Sequence, residues 1–498
     1  MRSILFVFLL PLFFVFHGYV ENYRFINFSD CLLLIVLYTI ATLAVYLCFK
    51  LLLKQKMKAA LMTTFIMSFY FFFGALHDFF RQNSIFLHKY SVIIPLFLLM
   101  AGGLFLYLKK RQPDTRISLF LNTLLIIYLL IDAMTPLWHR QDTGAISKFT
   151  QGAQDNLYKH CDSCPKPDIY FLLFDEYSGN NTLKNVYHYN NDDLDTFLQQ
   201  QGFQIQKNSR SNYNFTAFSM TSMLSTSYLT NIKAPSHITA NDYLEATGPN
   251  RKLTVINTLL DQGYTVINNS SFDLPTAPSF SEQPFIAVKT KLITDRTLSS
   301  YLLRDMGWWL VATFHHSLKA LEDHNEEIGR QNQVFIDKTI EESKKPSTSP
   351  RFIYMHVFMP HFPFLYDSLG QARDLAAVTE DYNHPADPRS YLNYIPYTNA
   401  CLKKLVSAIK KNTDGKAVII FMSDHGYRLA GMKDRNAVFN NQDAVYLPGK
   451  DHGQLYDSIS AVNEFRVVLN QIFRQNAPLL KDSFIYLKDD DGNGNTGL

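Results

Sequence analysis

An aspartate and a histidine stand side by side at Asp424 and His425, in the segment SDHG at 423–426. The preceding run AVIIFM is apolar enough to predict a buried central strand. A carboxylate oxygen and an imidazole nitrogen at the end of such a strand are suitable ligands for one divalent metal ion. The same pair is also compatible with a structural role, in which Asp424 caps a following helix and His425 packs locally.

A second acidic pair, Asp175 and Glu176, follows the apolar run of PDIYFLLFDEYSG at 167–179. Asp175 is the first residue after this predicted strand, so its side chain is expected in the crevice at the strand's carboxyl end, although a turn or helix cap would use the same residue type. Two strands that each end in an acid, one of them with a histidine, favour a shared site over two unrelated caps. Strand phase favours Asp175 as the ligand, and Glu176 is a further candidate.

A histidine and a threonine, each in a segment with little or no charge, complete the set of reactive residues. His361 lies in MPHFPF at 359–364, where prolines on both sides favour an extended backbone. Its imidazole could bind a second metal ion or a phosphoryl oxygen, although a lone histidine is a weak signal.

Thr216 lies in NYNFTAFSMTSMLS at 212–225, a stretch without charged residues that is compatible with a helix start. A metal ion held by two aspartates and a histidine leaves a coordination position open, which a hydroxyl at a helix start could fill. Metal coordination and the positive end of the helix both favour the alkoxide of that hydroxyl. Thr216 is therefore the candidate nucleophile, with Ser219 as the second choice.

The elements that must position these residues alternate regularly along the chain. Helix, glycine and strand patterns follow one another in DLDTFLQQQGFQI, VINTLLDQGYTVINNS and LKKLVSAIKKNTDGKAVIIFMSDHG. This alternation predicts an α/β fold with a mostly parallel central sheet and helices on both of its faces. Ligands bind at the carboxyl ends of the strands in such sheets, which is where the acidic pairs and the histidines are expected.

The N-terminal part of the chain differs, because apolar runs rich in Phe and Leu dominate it. Several such runs with short connections disfavour the alternative of buried core helices and predict a five-helix transmembrane bundle over 1–138. The basic connections lie after the second and fourth spans, which places the N-terminus inside and the following domain outside. The predicted spans are 3–20, 31–53, 59–77, 90–108 and 117–137.

The rest of the chain divides into a linker at 139–167, one large catalytic domain at 168–487 and a disordered tail at 488–498. Cys161 and Cys164, in CDSC, form the only recognisable pair among five cysteines. Their spacing fits half a zinc site, a redox pair or a local disulfide, and an outer location favours the disulfide. A formal net charge of +3 is too small to indicate nucleic acid as a partner.

The segments PDIYFLLFDEYSG, TAFSMTSMLS, MPHFPF and MSDHGYR, in this order after the apolar spans, resemble the membrane phosphotransferases of the alkaline-phosphatase/sulfatase superfamily. That group includes the lipoteichoic acid synthases and the lipid A phosphoethanolamine transferases. The resemblance covers essentially the whole chain. It implies an alkaline-phosphatase-like domain on the outer or periplasmic side of a bacterial cytoplasmic (inner) membrane, anchored by a multi-pass N-terminal domain.

The resemblance also implies an activity. Thr216 would attack the phosphorus of a phospholipid head group, phosphoethanolamine or phosphoglycerol, and become a covalent phospho-Thr. An envelope glycan or lipid would then accept the head group, so the implied partners are a phospholipid donor and this acceptor. One or two divalent ions, Zn²⁺ or Mn²⁺, would be bound by the side chains of Asp175, Thr216, Asp424 and His425, with His361 on the phosphoryl group.

The chain departs from the pattern of this group at several positions. Thr221 and Ser222 stand where the phosphoethanolamine transferases have a Pro-Cys pair, and Asp175 stands where they have Glu. No Cys/Ser-x-Pro-x-Arg motif occurs near residue 216, which disfavours sulfate ester hydrolysis. His452, in LPGKDHGQLYDSIS, is either the late histidine usual in the superfamily or a surface-loop residue.

Two alternatives to a transferase stay open. The first is a membrane-anchored phosphodiesterase, phosphatase or sulfatase-like hydrolase, in which water replaces the acceptor. The second is a non-catalytic relative that binds an envelope polymer.

Overall fold

The chain forms two compact units. A computed structural model describes residues 4–488 except 24–25, 27, 85, 139–145, 155, 233–235, 282–289, 304–305, 308–318, 430, 433 and 450–453. One unit comprises Met1–Ala145 and Ala287–Leu310, and the other comprises Ile146–Ile286 and Val311–Leu498. The predicted disordered tail lies outside the described residues except for Lys488.

The first unit consists mainly of apolar helices. These are α1 (Phe6–Glu21), α2 (Phe28–Leu53), α3 (Lys56–Phe71), α4 (Phe73–Asn83), α5 (Tyr90–Lys110) and α6 (Thr115–Trp138). A helix therefore coincides with each predicted apolar run, and the third run contains two.

In the described part of the chain, fewer helices than the five predicted are long and apolar enough to cross a membrane. Three helices, α2, α5 and most of α6, are long and apolar enough to cross a membrane. The helices α3 and α4 form a fourth candidate only if this pair, bent by 57°, is one broken span. With 16 residues, α1 is about 24 Å long, which is shorter than the roughly 30 Å of hydrocarbon in a bilayer. Five full spans are therefore not confirmed.

A segment from the later part of the chain, Ala287–Leu310, belongs to this first unit. Gly18 on α1 lies so close to Ile293 that a Cβ at Gly18 would be 2.9 Å from the Ile293 side chain. Arg296 Nη1 lies 3.3 Å from Asp78 Oδ2, and the Tyr301 hydroxyl donates to the same oxygen at 3.0 Å. The sequence interpretation places this segment within the domain 168–487, because these long-range partners are invisible in its own composition.

The second unit is built on a six-stranded sheet with the strand order β2-β7-β6-β1-β5-β4. The pairs β6-β1, β1-β5 and β5-β4 are parallel, and only β7 runs antiparallel to its neighbours. The prediction of a mostly parallel sheet is confirmed. The strands are β1 (Ile169–Phe174), β2 (Gln204–Ile205), β4 (Thr265–Asn269), β5 (Arg351–Val357), β6 (Val418–Met422) and β7 (Asp443–Tyr446), and a separate parallel pair joins β3 (Ser236–His237) to β8 (Leu487–Lys488).

Helices cover both faces of this sheet, which is why β1 reads as an unbroken apolar run. Ile169, Phe171 and Leu173 lie in one apolar core, while the alternate residues of β1 lie in a second core on the opposite face. The first core also contains residues of the helices Thr216–Ser225, Thr254–Asp261 and Ala461–Phe473. The second contains residues of Asp192–Gln200, Lys319–Lys344 and Arg389–Asn412. Among the described residues of this unit, the other helices are Asn180–Asn185, Ala240–Thr247 and Leu375–Asn383, with a 3-10 turn at Ala437–Phe439.

Part of the predicted linker packs on the second unit. Tyr158 and Cys164 are buried in its first apolar core, and a disulfide joins Cys161 to Cys164. Residues 139–145 of the predicted linker lie outside the described part of the chain.

Candidate metal centre and nucleophile

Asp175 and Asp424 lie at the same edge of the sheet because they follow neighbouring parallel strands. The register of β1 and β6 runs to the pair Leu173 and Met422, two residues before each aspartate. Asp424 Oδ1 accepts a hydrogen bond from the Glu176 N–H at 3.0 Å, which ties the two strand ends together. The parallel-sheet prediction thus accounts for the meeting of residues that are far apart in sequence.

His425 completes a cluster of three potential metal ligands. Its Nε2 lies 3.1 Å from Asp424 Oδ2, while Nδ1 faces the Gly426 carbonyl oxygen at 2.9 Å. One ligand atom from each of Asp175, Asp424 and His425 lies within 4.8 Å of the others. The three side chains are buried, so water gives them little screening.

The unsatisfied atoms of this cluster fit a bound cation. Asp175 Oδ1 and Asp424 Oδ2 are buried and accept no hydrogen bond from the described residues. Such oxygens are costly unless a donor or a cation compensates them. Two carboxylates and one imidazole suit Zn²⁺ or Mn²⁺, in agreement with the metal-dependent chemistry that the sequence predicted.

The pKa values of the two carboxyl groups shift in opposite directions. Burial and the negative charge of Asp424 raise the pKa of Asp175. Burial also acts to raise the pKa of Asp424, but the nearby His425 and His356 outweigh it and lower that pKa. Opposite pKa shifts of two neighbouring carboxyl groups are typical of functional sites.

Thr216 presents a hydroxyl to this cluster from the start of the helix Thr216–Ser225. Its Oγ1 lies 3.4 Å from His425 Nε2. The following residues of the helix are all buried, whereas Thr216 is half-buried. Phe215 occupies the N-cap position, so Thr216 is the first residue of the helix and not its cap. The helix dipole favours negative charge at this end.

Ser219, the second candidate nucleophile, has a different environment. Its hydroxyl is buried and donates to the Asp424 carbonyl oxygen at 2.6 Å. This bond fastens the helix to the loop that carries the metal-ligand cluster. Ser219 therefore helps to position the helix, whereas Thr216 offers an accessible hydroxyl.

Glu176 pairs with Arg428 and does not join the ligand cluster. Its Oε1 accepts from the Arg428 backbone N–H at 3.0 Å and from Nε at 2.9 Å. Burial acts to raise the pKa of Glu176, but Arg428 and His361 outweigh it and lower that pKa. The φ of Glu176 is 63°, in the left-handed region that is strained for a side-chain-bearing residue. Because of this turn, the successive carboxylates of Asp175 and Glu176 contact different partners.

His361 lies next to the ion pair between Glu176 and Arg428. Its Nε2 is 3.3 Å from Arg428 Nη2 and 3.6 Å from Glu176 Oε2. The Arg428 guanidinium also sits 5.1 Å from the centre of the Phe215 ring, next to Thr216 in sequence. Arg428 and His361 therefore form a cationic or hydrogen-bonding group close to the candidate nucleophile.

Two residues of this region were missed in the sequence. His356, inside β5, is fully buried, with Nε2 3.3 Å from Asp175 Oδ2 and Nδ1 2.8 Å from the Tyr354 hydroxyl. Burial lowers the pKa of His356 to about 4. In the sequence, a histidine within an otherwise apolar strand could have indicated His356. The position of Arg428, four residues after Asp424, could have indicated that it lies near the site. His452 lies outside the described residues.

Comparisons with known proteins give a family and several similar structures. The family model described as Sulfatase matches residues 167–465. No curated protein sequence matches the chain.

Among solved structures, the chain is similar to the C-terminal periplasmic domain of EcEptC from Escherichia coli, with 9% identity, a TM-score of 0.38, and coverage of 71% of this chain and 100% of that chain. It is similar to the lipooligosaccharide phosphoethanolamine transferase A (EptA) from Neisseria meningitidis, with 12% identity, a TM-score of 0.38, and coverage of 94% and 95%. The periplasmic domain of phosphoethanolamine transferase EptC from Campylobacter jejuni gives 14% identity, a TM-score of 0.38, and coverage of 64% and 94%.

The structural similarities are too weak to support an inference about this chain. The family match is different, because it spans more than half of the sequence and includes both strand ends that carry the ligand cluster. The chain belongs to the sulfatase family.

Proposed function

We propose that this chain is a metal-dependent phosphotransferase that moves a phosphorylated head group from a membrane phospholipid to an envelope glycan or lipid. The observation that carries the proposal is the half-buried Thr216 hydroxyl at a helix N-terminus, 3.4 Å from a histidine of a three-ligand cluster. The absence from the sequence near residue 216 of the Cys/Ser-x-Pro-x-Arg motif argues against sulfate ester hydrolysis. A threonine nucleophile suits transfer through a phospho-Thr intermediate.

In the first step the Thr216 oxygen forms a bond to the phosphorus of the donor lipid. The bond from phosphorus to the glycerol oxygen of diacylglycerol breaks, and the proton lost by Thr216 is balanced by the proton that this oxygen gains. In the second step an acceptor hydroxyl loses its proton and forms a new bond to phosphorus. The bond to Thr216 then breaks and the threonine hydroxyl is restored.

Asp175, Asp424 and His425, together with Thr216, would hold the divalent cation. When bound, such an ion supplies charge neutralisation and lowers the pKa of a coordinated hydroxyl. Asp424 also holds the strand end in place through its bond from the Glu176 N–H. We propose that one or two ions bind here and that they are Zn²⁺ or Mn²⁺.

Arg428 and His361 would bind the transferring phosphoryl group. Glu176 orients the Arg428 guanidinium through Nε, and Arg428 Nη2 faces His361 Nε2. A guanidinium and an imidazole can both donate hydrogen bonds to phosphoryl oxygens, where negative charge increases during transfer. Glu176 is thus proposed as a positioning residue, and His361 as a contact to the phosphoryl group.

The apolar helices of the first unit suit a lipid donor, because they would anchor the chain in the membrane that contains it. We place the chain in a bacterial cytoplasmic (inner) membrane as a multi-pass protein, with the catalytic domain on the outer or periplasmic side. The head group is proposed to be phosphoethanolamine or phosphoglycerol.

The proposal is tested by trapping the covalent adduct. The full chain in detergent micelles is incubated with phosphatidylethanolamine or phosphatidylglycerol and with Zn²⁺ or Mn²⁺, and the peptide 211–233 is analysed by mass spectrometry. Wild-type protein should gain a head-group adduct at Thr216, and Thr216→Ala should gain none. Metal-loaded wild-type protein that acquires no adduct from either lipid would refute the transferase. An adduct that is released into water at the same rate with and without a glycan or lipid acceptor would identify a hydrolase.

A further inference from the structure

Two buried carboxyl groups lie outside the catalytic cluster, on elements that the proposed reaction does not use. Asp443 begins β7 and Glu464 lies in the helix Ala461–Phe473. Their exposed fractions are 1% and 0%. All four of their carboxyl oxygens are buried and accept no hydrogen bond from the described residues. Buried acids are normally paired or hydrogen-bonded, so this arrangement calls for a physical explanation.

A third polar side chain, that of Gln206, faces Asp443 across the sheet edge. The register of β2 and β7 pairs Ile205 with Ala444, and the Gln206 N–H donates to the Asp443 carbonyl oxygen at 3.0 Å. Residues opposite each other on antiparallel strands project to the same face, so Gln206 and Asp443 are neighbours there. Gln206 is 1% exposed, and neither of its side-chain amide atoms has a hydrogen-bond partner among the described residues.

Glu464 lies on the helix that covers this same face. Asp443 pairs with Met422 on β6, and both Met422 and Val445, two residues beyond Asp443, belong to the first apolar core. That core also contains Ala461 and Val468, one helical turn before and after Glu464. Asp443, Gln206 and Glu464 are therefore directed into one layer between the sheet and the helix.

No cationic side chain of the described residues compensates this pair. The charge that acts on Glu464 is that of Asp443, and together with burial it raises the pKa of Glu464 well above its ordinary value. Burial raises the pKa of Asp443 to about 7. The nearby Ser209 hydroxyl acts to lower the pKa of Asp443, but it donates its hydrogen bond to Asn441 Oδ1 at 3.2 Å. An uncompensated buried carboxylate destabilises the fold because its lost hydration is not replaced.

We propose that Asp443, Glu464 and Gln206 bind a hard divalent cation, of which Ca²⁺ is the best example, at a site separate from the catalytic centre. Carboxylate and amide oxygens are the ligands that Ca²⁺ prefers, whereas the catalytic cluster includes an imidazole that suits Zn²⁺ or Mn²⁺. Two carboxylates match the charge of one divalent ion. Water molecules alone would supply hydrogen bonds but would leave that charge uncompensated.

The position of this site suggests a structural role. The cation would join β7 and the end of β2 to the helix Ala461–Phe473, which shares its apolar core with Met220 and Met223 of the helix that starts at Thr216. The residue opposite Asp443, Met422, lies two positions before Asp424. Occupancy would therefore stabilise the elements on which the nucleophile and one catalytic ligand are mounted. A ligand that binds only the folded protein raises its melting temperature.

The test uses the full chain with the catalytic cluster disabled by Asp424→Asn, so that ions bound there do not interfere. The protein is stripped with chelator and then given CaCl₂, MgCl₂ or NaCl, and the melting temperature and the bound metal are measured. We expect Ca²⁺ to raise the melting temperature and to bind with one equivalent per chain. The added substitution Glu464→Gln or Asp443→Asn should remove both effects. Asp195→Asn, which changes another buried carboxyl of this unit, should leave them intact.

Two results would overturn the proposal. One is an Asp424→Asn protein whose melting temperature does not respond to Ca²⁺ or Mg²⁺ and that binds neither ion. Another is a response that persists unchanged after Glu464→Gln and after Asp443→Asn. Because Gln and Asn match the shapes of the residues they replace, a cooperative melting transition of each variant in chelator would show that these variants fold.

Discussion

The Thr216 hydroxyl oxygen lies 3.4 Å from Nε2 of His425, the histidine that follows Asp424. The contact joins the start of a helix to the end of the central strand β6, across more than two hundred residues of sequence. It places a half-buried hydroxyl beside three buried potential ligands, in a helix whose other residues are buried. The reactivity of Thr216 thus depends on the cluster next to it, since its own segment contains no charged residue.

The two hydroxyls of this helix should respond differently to substitution. Thr216→Val keeps the shape of the side chain but removes the oxygen, so we expect transfer to fall by about 10³-fold or more. Thr216→Ser should retain measurable transfer because it keeps the hydroxyl. Ser219→Ala should still form the adduct and should lose about 1 kcal/mol of stability, since it removes the hydrogen bond to Asp424.

Turnover of a fluorescent phospholipid, together with mass spectrometry of the adduct, separates these effects. Metal content measured on each variant provides the control for loss of the ion. An adduct that disappears in Ser219→Ala but persists in Thr216→Val would exchange the roles of the two residues.

Asp175 and Glu176 should differ in their effect on metal binding. Asp175→Asn removes one of the three clustered ligands, so we expect loss of stoichiometric Zn²⁺ or Mn²⁺. Glu176→Gln should keep the metal, because Glu176 is paired with Arg428. Its transfer rate should nevertheless fall, since Arg428 would lose the carboxylate that orients it.

Metal analysis of both purified variants, at matched protein concentration, distinguishes the two residues. A metal-free Glu176→Gln protein beside a metal-loaded Asp175→Asn protein would identify Glu176 as the ligand.

His356 should influence metal affinity without being a member of the ligand cluster. Its Nε2 lies 3.3 Å from Asp175 Oδ2, while its other nitrogen is held by the Tyr354 hydroxyl. Partners that orient a ligand typically contribute about 10–100-fold in metal affinity. We therefore expect His356→Leu to weaken metal binding by about that factor and to recover transfer at high metal concentration. Competition titration with a metal-binding dye gives the affinity, and unchanged affinity would remove His356 from this role.

The sequence predicts which residues lie at the ends of strands, but it does not predict contacts that depend on tertiary packing. Asp175 and Asp424 could be brought together from the sequence, because apolar runs predict parallel strands and parallel strands end at one edge. His356 could not be linked to Asp175 in this way, since it lies inside a strand and its reach depends on the register of β1 and β5.

Other features of the structure also depend on tertiary packing and could not be predicted from the sequence. Asp443 follows a polar stretch and Glu464 lies in a helix, so nothing in either local pattern shows that both are buried in one layer. The segment around Ile293 has no composition that assigns it to the membrane helices, whereas its tertiary contacts, such as those with Gly18 and with Asp78, do so. Local periodicity predicts elements, whereas these pairings depend on tertiary packing.

The buried acid pair predicts a pH dependence in protein from which cations have been removed. The pKa of Asp443 is about 7 in the folded chain and has an ordinary value of 3.8. The unfolded chain therefore loses this proton first as pH rises, and stability contributed by protonated Asp443 is lost between about pH 4 and pH 7. Asp443→Asn has no such proton to lose. The groups that face Asp443 are Glu464 from the helix and the uncharged Gln206 and Ser209 from β2 and the segment after it.

We accordingly expect the melting temperature of the wild-type chain, measured in chelator, to fall relative to that of Asp443→Asn as the pH rises from 5 to about 7. The comparison between the two proteins cancels the titration of groups that do not interact with Asp443, whereas Glu464, whose pKa is raised by Asp443, contributes to the difference. Saturating Ca²⁺ should abolish or reverse the difference, because a bound cation favours the ionised pair. Melting curves that stay parallel over this range in chelator would show that Asp443 titrates normally and that the pair is compensated in another way.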